Sequence, residues 1–349
     1  TTGDVVSDLE KKLALCLGLP YTVAVTSCTS AMQLALLAAG IGEGDEVITT
    51  PLTFIGTANS ILMAGATPVF VDVDLSTGNI NPAAVEAVVG ERTRGILPVH
   101  LYGQMCDMEA IRNVADRHGL VIVEDAAHSL EAEWNGKKAG SYGDYACFSF
   151  YATKNITSGE GGAISVKDRD KLDLLIKLRL HGLSKSAIDR YTSRFEQYDV
   201  DLFGWKCNMD NIHAAILIEQ LKKVEGFHKK RTEIFETYSE AFSDVEGIEL
   251  QITRPEALHA HHLFTILVDP PKRDKIMGEL QNRGIGVSIN FRPLHLMTYY
   301  RERFGYKPGM YPVAEEIGSR TISLPFYPKL TGEETAYVID TVTEVVKSA

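Results

Sequence analysis

The chain has 349 residues, of which 45% are hydrophobic and 23% charged, and at about 150 residues per domain this length predicts two domains. The most apolar stretch, residues 61–71, is interrupted by Gly65 and Pro68, so no run reaches the roughly 18 to 20 residues needed to cross a bilayer. The 35 basic residues are outnumbered by 46 acidic ones and form no basic block, which argues against a nucleic-acid-binding protein.

The cysteines point to the compartment of the protein. There are five of them, an odd number, widely spaced and without a CxxC pair. This usage predicts a reduced, cytoplasmic protein without a structural metal site. Because the chain begins with Thr1 rather than Met, we expect a preceding segment to be missing.

Short apolar segments alternate with amphipathic ones along the first two-thirds of the chain. Amphipathic spacing predicts helices over 31–39, 108–118 and 171–180. Strands that are apolar throughout and separated by helices indicate a mostly parallel sheet covered on both faces. The sequence therefore predicts an α/β domain over residues 1–240 with seven strands, at 21–25, 46–49, 68–73, 95–99, 120–124, 145–150 and 163–166.

The pattern changes near residue 240. Residues 209–242 predict one long helix or a helix pair broken near Gly226. Beyond it we predict a smaller α+β domain, 241–349, with strands at 262–268 and 286–291 and helices at 273–282 and 333–346.

Asp125 lies in the segment VIVEDAAHS, directly after an apolar strand. Ligands of open α/β sheets bind at the carboxyl ends of strands, so this carboxylate is a candidate functional group. The alternative is an aspartate that caps the next helix. His128, in the same segment, is open to the same two interpretations, a catalytic group or a histidine satisfied within the core.

Lys154 follows another strand end, in SFYATKNITSGEGG. A lysine in an apolar neighbourhood has a lowered pKa and suits Schiff-base chemistry, whereas a lone lysine is more commonly a surface residue. The segment TSCTSAMQLAL, residues 26–36, opens a helix with small hydroxyl residues, which favours either phosphate binding or ordinary capping by Ser27 or Thr29. Neither GxGxxG nor GxxxxGK[ST] is present, which argues against a nicotinamide-dependent dehydrogenase.

The three features together match the needs of a pyridoxal phosphate (PLP) site: a helix start that binds the phosphate, an acid for the pyridine nitrogen and a lysine for the aldehyde. The sequence also resembles the DegT/StrS-type nucleotide-sugar aminotransferases, of the aspartate aminotransferase fold (PLP fold type I). The resemblance is colinear through GIGEGDEVITTPLTF (40–54), PVHLYGQMCDM (98–108), KNITSGEGG (154–162), GWKCNMDNIHAA (204–215) and INFRPLHLMTYYRERFGY (289–306).

The resemblance implies a role for individual residues. Lys154 would bind the cofactor aldehyde, Asp125 the pyridine nitrogen and His128 the region of the phenolic oxygen. The remaining cofactor contacts it implies are Phe54 over the ring, Cys28, Thr29 and Ser149 at the phosphate, and Asn208 reaching into the neighbouring subunit of a homodimer. Substrate-binding residues would be His181, Lys206 and His295.

The implied reaction is transfer of the amino group of glutamate to a nucleotide-linked sugar. KNIT followed by GEGG, and HAHHLF at 259–264, look closest to the branch that aminates UDP-linked 4-keto sugars. Lysine at position 154 favours transamination, because the dehydratase relatives have histidine there. Amination at C3, dehydration or another PLP reaction, and a regulatory binding protein of the same fold remain the alternatives.

Overall fold

The computed structural model describes residues 2–184 and 199–349 of the chain. Its helices are α1 (Asp4–Leu17), α2 (Cys28–Ala38), α3 (Ile55–Met63), α4 (Pro82–Ala87), α5 (Met108–His118), α6 (Arg169–Leu178), α7 (Asn211–Leu221), α8 (Val224–Phe242), α9 (Arg273–Asn282), α10 (Thr298–Phe304), α11 (Pro312–Arg320) and α12 (Gly332–Ser348). Its strands are β1 (Tyr21–Val25), β2 (Glu46–Thr49), β3 (Thr67–Phe70), β4 (Thr93–Ile96), β5 (Val121–Asp125), β6 (Glu133–Trp134), β7 (Lys137–Lys138), β8 (Tyr145–Ser149), β9 (Gly162–Val166), β10 (Ala257–Leu258), β11 (Thr265–Leu267) and β12 (Thr321–Ser323).

The predicted strands form one seven-stranded sheet in the order β1-β9-β8-β5-β4-β2-β3. Neighbouring strands are parallel from β8 to β3, and β9 runs antiparallel to both β1 and β8. Apolar side chains on the two faces of the sheet belong to two separate buried clusters, one shared with α1 and α5 and the other with α2 and α6. The α/β prediction is confirmed, because strands buried on both faces are typical of a helix-covered parallel sheet.

The direction of β9 determines where the site lies. Gly162, its first residue, pairs with Val25 at the end of β1 and with Ser149 at the end of β8. The start of this antiparallel strand therefore meets the carboxyl ends of its parallel neighbours. The loop from β8 to β9, which carries Lys154, begins and ends at that edge of the sheet.

The C-terminal part has its own buried cluster, built from α8, α9, β11, β12 and α12. The predicted strand at 286–291 is wrong. Apart from one bridge from Ser288 to Ser323 of β12, this segment is irregular and forms no strand. The predicted domain boundary near residue 240 stays a prediction.

The helix pair predicted between residues 209 and 242 is present, but its break lies elsewhere. The helices α7 and α8 meet at Lys222 and Lys223, and Gly226 lies in the first turn of α8. Within the described residues, every helix is too short or too polar to span a membrane.

Candidate active site

A cavity of about 600 Å³ opens at the carboxyl edge of the sheet. Seven of the residues predicted from the sequence line it: Cys28, Thr29, Phe54, Asp125, His128, Ser149 and Lys154. These residues come from four separated segments of the chain, and the sheet order brings the ends of β1, β5 and β8 next to one another. The C-terminal part completes the wall with residues that the sequence analysis did not assign to the site: His262, Leu263, Ser288, Asn290 and Phe291.

Asp125 ends β5 and is buried at the base of the cavity, with 4% of its surface exposed. Its Oδ2 accepts a hydrogen bond from Thr57 Oγ1 at 2.8 Å, and its Oδ1 accepts one from Ala127 N at 3.2 Å. Burial raises the pKa of this carboxyl, whereas the bond from Thr57 and the charge of Lys154 lower it. A buried carboxylate with fixed donors is suited to face a cationic group, because an opposite charge offsets its desolvation.

The tautomer of His128 follows from its hydrogen bonds. Tyr102 N donates to His128 Nδ1 at 3.2 Å, so Nδ1 carries the lone pair and the neutral ring has its proton on Nε2. Tyr102 directs this bond from a left-handed backbone conformation, with φ of 56°. Burial lowers the pKa of His128 well below its usual value. His128 is therefore a neutral hydrogen-bond donor at the cavity wall.

Lys154 lies in the turn after β8, where its backbone N–H donates to Tyr151 O at 2.9 Å. Among the described residues no group accepts a hydrogen bond from its Nζ, so the amine is available in the cavity for reaction. Burial lowers its pKa to about 8, while Cys28 and Asp125 oppose the shift. A lysine with this pKa has a sizeable neutral fraction near physiological pH, which Schiff-base formation requires.

The start of α2 forms the predicted phosphate-binding site. Ser27 caps the helix by accepting a hydrogen bond from Ser30 N at 3.1 Å, and the first turn begins at Cys28 and Thr29. A methyl group on Gly162 would lie 2.6 Å from Cys28 N and 2.4 Å from the carbonyl carbon of Ser27, so only glycine lets β9 approach this turn. A helix start with uncovered N–H groups binds phosphate well.

Four predicted residues lie outside the cavity: Asn208, Lys206, His181 and His295. Asn208 is bridged to Val25 and contacts Thr2 and Lys206, on the far side of the β1 end. His181 is exposed in a left-handed conformation, with φ of 58°. His295 is fully buried and its Nε2 bonds Glu315 Oε1 at 2.9 Å, so within one chain its ring has no access to a substrate in the cavity. The roles of these four residues stay predictions.

The residues of the cavity fit PLP. The helix start matches a phosphate, the buried carboxylate matches a protonated pyridine nitrogen, and the lysine amine matches an aldehyde. Phe54, 59% exposed at the cavity wall, offers a ring face with room for a planar partner. This fold with this set of side chains defines a PLP enzyme of fold type I.

Comparison with known proteins identifies the family. Residues 1–343 match the DegT/DnrJ/EryC1/StrS aminotransferase family, to which the chain belongs. The spore coat polysaccharide biosynthesis protein SpsC of Bacillus subtilis (strain 168) is 44% identical over 353 residues, which cover 99% of this chain and 91% of SpsC.

Solved structures agree with this assignment. DesV of S. venezuelae in complex with a ketimine intermediate has a TM-score of 0.92 at 34% identity, covering 99% of this chain and 90% of DesV. Spr1654 of Streptococcus pneumoniae in its PMP form has a TM-score of 0.94 at 31% identity, covering 100% of this chain and 93% of Spr1654, and it is also solved in its PLP form. The protein is a sugar aminotransferase whose cofactor is PLP.

Proposed function

We propose that the enzyme transfers the amino group of glutamate to C4 of a UDP-linked 4-keto sugar, releasing 2-oxoglutarate and a 4-amino sugar. The observation that carries this proposal is the meeting of Lys154, Asp125 and His128 in one cavity of the size of a cofactor with its substrate. The choice of UDP and C4 is supported by the resemblance of KNIT, GEGG and HAHHLF to that branch. The name of SpsC, which refers to polysaccharide biosynthesis, agrees with an amino sugar as product.

PLP supplies an electron sink for the carbon that loses or gains a proton. Lys154 would hold the cofactor when no substrate is bound, and its freed amine would move the proton once a substrate is bound. A pKa of about 8 suits both directions of proton transfer, because the amine takes and releases a proton near neutral pH. Asp125, held by Thr57, would keep the pyridine nitrogen protonated, and His128, which accepts from Tyr102 N at Nδ1, would donate from Nε2 to the phenolic oxygen.

The remaining cofactor contacts follow from the cavity wall. Cys28 and Thr29 would bind the phosphate through the backbone of the first turn of α2, and Ser149 would add a hydroxyl from the end of β8. Phe54 would cover the face of the ring.

We propose that the active enzyme is a homodimer with shared sites. The outer face of α7 carries Ile212, which is 73% exposed, and Ile216, and Phe203 nearby is 78% exposed. Apolar side chains exposed together are typical of a protein interface, and they flank Lys206 and Asn208, for which the resemblance implies contact with the neighbouring site. Mixing Lys154→Ala with Asn208→Ala subunits tests this: restored activity in the mixture supports shared sites, and an inactive mixture of exchanging subunits contradicts them.

The five cysteines are all free, four of them buried. Thiols that remain reduced are typical of a cytoplasmic protein, and a cytoplasmic location also gives access to nucleotide sugars and glutamate. We therefore propose that the enzyme acts in the cytoplasm.

The near-ultraviolet and visible absorption spectrum of the enzyme with PLP, before and after addition of glutamate, tests the proposed reaction. We expect a yellow band that glutamate bleaches in the parent protein and not in Lys154→Ala. A panel of UDP- and dTDP-linked 3-keto and 4-keto sugars then identifies the acceptor. A band that glutamate leaves unchanged would refute the donor, and exclusive use of 3-keto sugars would refute C4.

A further inference from the structure

His262 lies in the cavity wall, although the mechanism above gives it no task. Its ring stacks on that of His128, with centroids 4.2 Å apart and an interplanar angle of 27°. Its Nδ1 lies 3.1 Å from Asn155 Oδ1. Both rings are buried, and the pKa of each is lowered well below the usual value, first by desolvation, so both are neutral at pH 7.

The surroundings of Asn155 fix the protonation of His262. Asn155 Nδ2 donates to Glu131 Oε2 at 3.0 Å and to Ala260 O at 2.8 Å. A flipped amide would place its oxygen against the Ala260 carbonyl, so Oδ1 must face His262. Since Oδ1 only accepts, His262 Nδ1 carries the proton and Nε2 carries the lone pair.

The two stacked imidazoles therefore have opposite tautomers. His128 accepts at Nδ1 and donates at Nε2, whereas His262 donates at Nδ1 and accepts at Nε2. Among the described residues no group donates a hydrogen bond to His262 Nε2, and this atom is not shielded from the cavity. An acceptor at the wall of a cavity that also holds Lys154 is available to a donor on the substrate.

We propose that His262 is a substrate-binding residue whose Nε2 accepts a hydrogen bond from a hydroxyl of the acceptor sugar, and that Asn155 and Glu131 hold it in the accepting tautomer. Sugar hydroxyls are the donors that a keto sugar offers, whereas the carboxylates of an amino-acid donor would be repelled by a lone pair. The contact discriminates between sugars by the position of a hydroxyl, since a site built to bond a hydroxyl rejects analogues that lack it. The proposal rests on the sugar aminotransferase activity, and its kinetic test uses the proposed substrates.

The tautomer is tested first, by long-range ¹H–¹⁵N correlation spectra of the PLP-bound enzyme labelled with ¹⁵N-histidine. The signal of His262, assigned by its loss in His262→Phe, should show a protonated Nδ1 and an unprotonated Nε2. In Asn155→Ala the Nε2-protonated form should appear. A protonated Nε2 in the parent enzyme overturns the proposal whatever the substrates are.

The kinetic test compares the two half-reactions in His262→Phe, which keeps a stacked ring and removes the acceptor. The sugar half-reaction is started from enzyme loaded with pyridoxamine phosphate, so it does not depend on the amino donor, and a UDP-linked 4-keto-6-deoxyhexose is the probe. We expect the apparent KM for this sugar to rise about tenfold, as for one lost hydrogen bond, and the glutamate half-reaction to stay within about threefold of the parent. His262→Gln, which restores an acceptor, should recover part of the loss.

His261→Phe is the matched control, because His261 is buried in the same segment but lies outside the cavity. It should leave the KM for the sugar unchanged. Equal losses in both half-reactions of His262→Phe, or no loss in either, would overturn a role in sugar binding. If the parent enzyme does not convert its cofactor with glutamate, the proposed donor is refuted instead. If it does not aminate the probe, the proposed acceptor is refuted. In both cases the spectra still determine whether His262 Nε2 is an acceptor.

Discussion

The lowered pKa of Lys154 gives a quantitative prediction that needs no substrate. At the ordinary lysine pKa of 10.5 about one amine in 3000 is neutral at pH 7, whereas at a pKa of about 8 about one in ten is neutral, a gain of about 300-fold. Desolvation is the largest cause of the shift, and the negative charge of Asp125 opposes it. Asp125→Asn should therefore lower the pKa of Lys154 further, because it removes a negative charge that stabilises the protonated amine.

Competitive labelling measures this pKa directly. The apoenzyme is treated with a trace of acetic anhydride between pH 6 and 11, with Nα-acetyl-lysine amide as internal standard, and acetylation of the peptide containing Lys154 is quantified by mass spectrometry. The labelling of Lys154 should have its midpoint near pH 8 and that of the standard near its ordinary value. A midpoint above about 9.5, or an upward shift in Asp125→Asn, would refute the argument that desolvation prepares this amine for Schiff-base chemistry.

Three further predictions concern the phosphate-binding site at the start of α2, the contact of Phe54 with the cofactor ring, and stability in acid. Gly162→Ala should weaken PLP binding at least about tenfold in equilibrium dialysis, since its methyl group would lie 2.6 Å from the backbone nitrogen of Cys28. Gly56→Ala should weaken it less, because its methyl group would meet side chains only, the Thr29 hydroxyl at 2.8 Å and the Phe54 ring at 3.1 Å. Phe54→Ala should weaken PLP binding while leaving the urea midpoint of the apoenzyme nearly unchanged, because the ring is largely exposed; a large loss of stability would contradict this. Burial lowers the pKa of His259 to about 3, so between pH 3 and pH 6.5 the unfolded chain binds a proton that the folded protein does not. The resulting stabilisation of the folded state is complete above pH 6.5 and is lost as the pH falls towards 3. In urea titrations His259→Gln should therefore reduce the dependence of the free energy of unfolding on pH in this range by about 1.4 kcal/mol per pH unit, and an unchanged slope would refute the argument.

The sheet could be predicted from the sequence because its strands are apolar runs separated by helical spacing, and all seven formed. The direction of β9 could not, since the residues of Gly162–Val166 are buried in either orientation. The segment 286–291 was predicted as a strand, but only Ser288 forms a bridge, to Ser323 of β12. Periodicity reports which side chains are buried and not which neighbour a strand has.

The part of the site that lies at the edge of the sheet was predictable for a related reason. Asp125 and Lys154 follow strand ends, and the carboxyl ends of parallel strands meet, so their proximity follows from the sheet alone. His295 shows the limit of that reasoning: it lies in a segment that resembles the family, but its ring faces Glu315 in the interior, and only the packing of the C-terminal part decides this.

The missed residue, His262, shows what kind of information a sequence withholds. The run HAHHLF contains three histidines, and nothing in their spacing distinguishes one from another. In the structure His262 lies at the cavity, whereas His259 and His261 stack on one another with ring centroids 4.7 Å apart. Their different tasks depend on which atom faces which, because a neutral imidazole is a donor on one nitrogen and an acceptor on the other. That choice is made by Asn155, 107 residues earlier in the chain, through one amide oxygen. The specificity of the site for its sugar is therefore set as much by an asparagine that lies behind the wall as by the histidine in it, and Asn155→Ala should change sugar selectivity without touching the substrate.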